Sequence, residues 1–282
     1  MKKLFLFLCA GILSHAVSAQ IQVPQPSPFT KVEQVVGLTN VTLEYSRPAM
    51  RGREIFGNLV PFNERWRTGA NANTTIAFDT DINIAGKTLP AGSYALYTAP
   101  KQNEWEVIFY KKTDNWGLPA EWNEAEVALK ATARVMQLPF EMETFTIGID
   151  ELQNDSATLH FIWDNTVAVL PFEVPTDELA MASIEKVMEN SPKPNDYFAA
   201  ASYYHDEEKD LETAYKWIQK AVEVEEPAFY ILRRKALIEA DMGKKEEAIK
   251  TARASLAAAE KAGNKDYVKM NQDSLKEWGA KM

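Results

Sequence analysis

Cysteine is all but missing from this sequence. The one present, Cys9, lies in a segment built like an export leader. Lys2 and Lys3 form a basic start, Leu4 to Leu13 an apolar run, and Val17-Ser18-Ala19 ends in the small residues that a signal peptidase accepts. That run is shorter than the roughly 20 residues a membrane span requires, and Leu8 stands where a lipid-attachment site needs a small residue. The expectation is a signal peptide over residues 1–19, removed after Ala19. Beyond it no cysteine is left, so disulfides and thiolate nucleophiles are excluded and stability must come from burial.

Histidine is nearly as scarce. Only His160 and His205 follow Ala19, one in each half, with no HExxH or Cys/His spacing. Such a chain offers no ligand set for a catalytic or structural zinc, and neither metal nor cofactor is expected. His160 alternates with Leu159 and Phe161, which puts it on the opposite strand face as a surface or loop-supporting residue. Also missing are GxSxG, the P-loop and GxGxxG, the signatures of nucleophile-elbow hydrolases and nucleotide enzymes. "DTDIN" (79–83) resembles a calcium loop but lacks its glycine and closing glutamate, and reads as a turn between strands.

Positive charge is short as well. Asp and Glu number 40 against 31 Lys and Arg, a formal net charge of −9 that becomes −11 once Lys2 and Lys3 are removed. An acidic surface opposes encounter with nucleic acid and anionic membrane. No later segment is apolar enough to span a bilayer.

What is present falls into two halves that differ in period. Up to Pro175 apolar residues alternate: Val41, Leu43 and Tyr45; Thr74, Ile76 and Phe78; Tyr94, Leu96 and Thr98; Trp105, Val107 and Phe109. Val127–Val135, then Phe145, Ile147 and Ile149, then Leu159, Phe161 and Trp163, then Val167 and Val169 continue the pattern. Gly86, Pro90-Ala91-Gly92, Asn154-Asp155 and Asp164-Asn165 read as turns between them. The expectation over 27–175 is an all-β domain of about nine strands, a sandwich or an open barrel. Residues 48–73 interrupt it as an irregular stretch longer than ordinary loops.

From residue 177 the period turns helical, with Thr176 placed to cap and Asp177 and Glu178 in the first turn, where the helix dipole favours negative charge. Ser202, Ala214, Ile218 and Ala221 recur 34 residues later as Ala236, Ala248, Ala252 and Ser255. That is the period of the tetratricopeptide repeat, in which small residues let paired helices approach. Two such units are expected over 195–262 within a helical domain spanning 177–282, with 264–280 as a capping helix. Ala214 and Ala248 fall on the motif's central alanine, while His205 and Glu239 depart from its usual tyrosine. Two units are fewer than the about three that such arrays need, so flanking helices or the β domain must help.

Between residues 47 and 67 stand five arginines, Arg47, Arg51, Arg53, Arg65 and Arg67, with no lysine and only Glu54 and Glu64 in opposition. A guanidinium is a planar fork that matches carboxylate or phosphate in fixed geometry. Gly52, Gly57 and Gly69 permit backbone N–H groups to converge on an anion, and Phe56 and Trp66 offer apolar walls. Arg47, Arg53, Trp66, Arg67 and Asn71 are the expected ligand contacts, with the arginines as donors and the Asn71 amide fixing orientation. The competing reading is structural: arginines beside aromatics stack on them and tie down loop carbonyls, and "GANAN" leads into a strand. Among the tryptophans, Trp105 and Trp163 keep strand phase and read as core, whereas Trp116 and Trp122 in "NWGLPAEWN" read as loop residues.

In this segment "VTLEYSRPAMRGREIFGNLVPFNERWRTGANANTT", followed by "LPAGSYALY" and "WEVIFYKK", resembles the exported bacterial family known as domain of unknown function 2911 (DUF2911), over about residues 27–172. Its most specific pieces are Ser46-Arg47-Pro48, Gly52-Arg53, Ile55-Phe56-Gly57 and Trp66-Arg67-Thr68-Gly69-Ala70-Asn71. The resemblance implies an exported β domain in a Gram-negative envelope, often followed by a helical-repeat tail. It carries no catalytic residues across.

The functional expectation is a non-catalytic exported binding or scaffold protein, in the periplasm, at the outer membrane or secreted. An anionic small molecule, glycan or peptide would bind the arginine loop, and a protein or peptide partner the helical repeats. The alternative is an enzyme acting on an acidic sugar, with an arginine clamp and a glutamate acid/base. Glutamates are too numerous for any pair to single itself out.

Overall fold

A computed structural model describes residues 23–280, and the expected signal peptide lies outside the described residues. The chain divides into two compact units between Pro175 and Thr176.

The first unit is a nine-stranded sheet. Its strands are β1 (Phe29–Val36), β2 (Thr39–Ser46), β3 (Ala70–Phe78), β4 (Ile82–Ile84), β5 (Lys87–Leu89), β6 (Gly92–Pro100), β7 (Glu104–Tyr110), β8 (Val127–Asp150) and β9 (Ser156–Glu173). They run in the order β1-β2-β3-β6-β7-β8-β9-β4-β5, so β1 and β5 are free edges and the sheet is open. All the pairings are antiparallel. The alternating residues of β2, β3, β6, β7, β8 and β9 share one core, to which Ile82, Ile84 and Leu89 of the short β4–β5 hairpin also belong. A smaller cluster of Ala95, Tyr97, Ile108 and Tyr110 covers the other face of β6 and β7. Those two strands are therefore buried on both sides, which explains why their sequences are so continuously apolar.

Two expected breaks are absent. Residues 127–135 and 145–149 belong to one 24-residue strand, and the two segments either side of Asp164-Asn165 to one 18-residue strand. Turn residues at 164–165 mark a bend: Asp164 takes a positive φ of 55° and the β8–β9 register shifts nearby, between Gln137 and Met142 and again before Thr146. A bulge kinks a strand without ending it, and aspartate tolerates the left-handed region. The bend has a consequence for β8, which pairs with β7 up to Arg134 and with β9 from Arg134 onward. "DTDIN" is the connection into β4, where Asp79 accepts from Asn40 and Asp81 from the Ala91 N–H.

The far half of β8 is clasped to β2 by side chains. The Tyr45 hydroxyl accepts from Ile147 N–H at 2.9 Å and donates to Ile147 C=O at 3.1 Å, and its ring packs edge-on to Phe145. Tyr45→Phe leaves both backbone groups buried without that partner, and is expected to cost about 1–3 kcal/mol in chemical denaturation. Burial pushes the Tyr45 phenol above its ordinary value of 10.0, and does the same to Tyr94 and Tyr97. Because the folded values are raised, this contribution is complete below pH 10 and disappears as pH rises through the folded values. Melting temperature should therefore fall above pH 10, less steeply in Tyr45→Phe. An identical alkaline profile in that variant would contradict the clasp.

The second unit consists of α1 (Thr176–Met188), α2 (Pro194–Asp206), α3 (Leu211–Ala221), α4 (Phe229–Asp241), α5 (Lys245–Lys261) and α6 (Lys265–Glu277). Thr176 is the first residue of α1 rather than a cap outside it, and Asp177 in that first turn accepts from Tyr203 and pairs with Lys209. Pro194 opens α2, where its missing N–H costs nothing. The small repeated positions Ala214, Ala236, Ala248, Ala252 and Ser255 are all buried, and α5 begins at Lys245, 34 residues after α3 begins at Leu211. Between α4 and α5, Gly243 has a φ of 74°, the left-handed conformation that lets a helix end tightly. Aromatics fill the gaps between helices, as in Tyr204 on Trp217 and Phe229 on Tyr267.

Glu239 is the discordant residue here. It is 2% exposed, its Oε2 has no hydrogen-bond partner, and Lys235 approaches Oε1 only to 3.7 Å. A buried carboxylate so poorly paired opposes folding, and apolar replacement of such groups stabilises by about 1–4 kcal/mol. Glu239→Met is expected to raise the melting temperature of the helical unit. A lower one would show that the carboxylate is satisfied in solution.

Candidate functional site

The segment between β2 and β3 is irregular but firmly held. Ile55 and Val60 are buried in the main core, and Phe56 packs on Trp105 and Trp163. Trp66 exchanges two backbone bonds with Thr98 of β6, at 2.7 and 3.0 Å. Gly57 is required by space: at φ 91°, a Cβ there would lie 2.9 Å from the Phe62 ring. Arg51 N–H reaches Glu143 Oε1 at 2.8 Å, tying the loop to β8.

A hollow of about 360 Å³ opens within this loop. Arg51, Arg53 and Arg67 line it together with Pro26, Ser27, Trp66 and Trp163, and its lining residues include no carboxylate. Each of the three arginines is braced by carbonyls. Arg53 donates to Met50 and Ala49 at 2.9 and 2.6 Å, Arg51 to Pro26 at 2.9 Å, and Arg67 to Asn71 at 3.1 Å. A guanidinium carries five N–H groups, so one or two such bonds fix its plane and leave further donors. Arg67 also rests on Gly117, where a Cβ would meet Nη1 at 2.9 Å. Gly117→Ala is therefore expected to displace this guanidinium and, because Gly117 has a φ of 88°, to strain the turn, visible as weaker anion binding together with a fall in melting temperature.

The other expected contacts lie around the hollow in different roles. Trp66 supplies wall: it stacks on Trp163 with centroids 5.8 Å apart and packs edge-on to Phe145. Asn71 does not line the hollow. With a φ of 59° it gives its carbonyl to Arg67 and its amide to Ser27 C=O at 3.2 Å, so it positions two lining residues. Arg47 is not a lining residue either. Its Nε donates to Phe145 C=O at 3.1 Å and its Nη2 to Thr146 at 2.6 Å, which completes the β2–β8 clasp. Arg65 points to another place altogether, over the Trp122 ring at 4.1 Å and against Glu124 at 3.3 Å. Hydrogen bonds from Lys130 and then Trp122 hold that glutamate below the usual carboxylate range. "ANAN" itself belongs to β3.

Sequence reasoning did not single out Arg51 from its neighbours, and it placed Trp163 in the core. Trp163 is buried there and still edges the hollow. Nothing in a segment about one hundred residues away in the chain announces that contact. Among the described residues no group of three or more His, Cys, Asp or Glu is arranged to hold a metal ion, and no helix is long and apolar enough to cross a membrane.

A family model described as a protein of unknown function (DUF2911) matches residues 27–172. No curated protein and no solved structure matches the chain.

Proposed function

We propose, for a chain that belongs to the DUF2911 family through residues 27–172, that the β unit is an exported binding module whose arginine hollow takes the acidic group of a glycan or similar anionic ligand without transforming it. The observation that carries this reading is the grouping of Arg51, Arg53 and Arg67 around one hollow whose lining has no carboxylate. Three braced guanidinium planes select a carboxylate or sulfate by geometry as well as charge. Catalysis on an acidic sugar would need an acid/base beside them, and Glu143 is engaged by the Arg51 N–H.

The helical unit fits a short tetratricopeptide-like array in which α1 and α6 flank two helix pairs and make up for the missing third repeat. Its role would be to dock a protein or peptide partner or to support the β unit. Export rests on the leader composition alone, and would put the module in the periplasm, at the outer membrane or outside the cell.

Isothermal titration of the mature protein with oligogalacturonate, a sulfated oligosaccharide and inorganic phosphate tests the anion site. Binding of at least one is expected, weakening as salt is raised, with a matching rise in melting temperature. Turnover of any of them would favour the enzyme instead, and no binding to any would remove the support for the module.

A further inference from the structure

A second hollow, of about 280 Å³, lies on the same unit between Phe29 and Trp116. Both aromatics are unusually bare, Phe29 at 65% and Trp116 at 76% exposed. An indole standing in water is not there for packing, since large apolar rings are ordinarily the first to be covered. Around them stand Glu44, Asn73, Asp114 and Asn115.

These polar groups are spent in a particular way. The Asn73 amide nitrogen donates to Thr113 C=O at 3.1 Å, and that of Asn115 to Lys112 C=O at 3.2 Å. Their side-chain oxygens accept none of the hydrogen bonds among the described residues. The two carboxylates have only loose cations, with Lys31 at 3.8 Å from Glu44 and Lys112 at 4.0 Å from Asp114. The hollow thus offers a flat apolar platform and a surplus of acceptors. A complementary ligand brings an apolar face and many hydroxyl donors, which is the chemistry of a pyranose ring.

Its place strengthens the case. Ser27 and Ala70 line the arginine hollow, whereas Phe29 and Ala72 line this one, two residues further along each segment. Two residues of extended chain are about 7 Å, an upper bound here because Asn71, between Ala70 and Ala72, turns at a φ of 59°. Trp116 is followed by Gly117, the glycine against which Arg67 rests. The geometry points to a neutral-sugar subsite on Trp116 and Phe29 adjoining the anion subsite, so that one oligosaccharide carrying an acidic group spans both. This rests on the anion reading above, yet its own contacts are separate. An ammonium ligand would also satisfy the acceptors, but the guanidinium groups next door repel it.

An oligosaccharide array probed with the mature protein, its Trp116→Ala variant and its Arg53→Ala variant tests the subsite. Trp116 is exposed, so its replacement should leave the melting temperature within about a degree of the parent, given how little exposed substitutions cost. The expected result is binding of mixed acidic-neutral oligosaccharides, with neutral ones weaker, and a tenfold or greater loss in Trp116→Ala that Arg53→Ala does not reproduce on the neutral arm. Neutral binding lost in Trp116→Ala with no response to acidic groups would keep this subsite and remove the anion reading. Acidic ligands that bind Trp116→Ala as tightly as the parent, or capture of lysine-rich peptides in place of sugars, would overturn the subsite.

Discussion

Trp163→Ala is expected to remove about 3–5 kcal/mol of stability, the cost of deleting a large aromatic from a packed core. Trp163 is 1% exposed and sits at the centre of an aromatic cluster. It stacks on Trp66, meets Phe145 with centroids 5.6 Å apart and Phe56 at 6.5 Å, and donates from its indole nitrogen to Glu143 C=O at 3.2 Å. Alanine leaves a cavity beneath the arginine hollow and removes one of the two donors to Glu143 C=O, which keeps Met50 N–H at 2.8 Å. Against an ordinary domain stability of about 5–15 kcal/mol, the loss should lower the denaturant midpoint of the β unit markedly and abolish anion binding with it. Trp163→Phe separates the two contributions: it refills most of the space and removes only the indole bond. Met50 N–H still donates to Glu143 C=O at 2.8 Å, so a cost of about 0.5–1.5 kcal/mol is expected. A midpoint unchanged in Trp163→Ala would mean that the cluster is not what holds the loop in place.

The double replacement Arg53→Ala/Arg67→Ala is expected to weaken anion binding by about 100-fold or more, since hydrogen bonds to charged groups contribute about 1.5–3 kcal/mol each. Stability should respond differently at the two positions. Arg53 is exposed and braces only its own turn, through Met50 and Ala49, so its loss should fall within the about 0.5 kcal/mol typical of surface sites. Arg67 is half-buried between Asn71 and Gly117 and should cost more. Arg53→Lys is not expected to restore affinity, because a mobile ammonium cannot reproduce the fixed fork. Titrations of the two single variants and the double against the same acidic oligosaccharide measure this. Undiminished affinity in the double variant would place the anion elsewhere.

Several features could be read before any coordinates. Val41, Leu43 and Tyr45, or Trp105, Val107 and Phe109, each alternate because one sheet face is buried and the other is not, and they line the core accordingly. The small residues that recur from Ala214 to Ala248 mark helix contacts for an equally local reason. Asp164-Asn165 was harder. Turn-type residues favour the left-handed region wherever the chain bends, and composition does not distinguish a bulge inside a long strand from a turn between two short ones.

The site was legible only in part. An arginine-rich loop announces charge, and the segment 47–71 does hold three of the guanidinium groups that share a hollow. It could not announce their partners. Arg47 turns to Phe145 and Thr146 and Arg65 to Glu124, residues about 60 to 100 positions away. Trp116 reads as a loop tryptophan from the sequence, but its companionship with Phe29 depends on the pairing of strands far apart in the chain.

By itself, then, the order of amino acids determined the local matters: period, turn chemistry, the change from strands to helices near Pro175, and which chemistries lack their residues. Those depend on neighbours a few positions apart, where backbone geometry alone sets which side chains share a face. Tertiary structure decided which arginines line a common hollow and which are locked elsewhere on the scaffold, and it set a buried tryptophan as the wall of that hollow. Such choices turn on carbonyls and rings brought close by the folding of the sheet, at separations along the chain over which no periodicity persists.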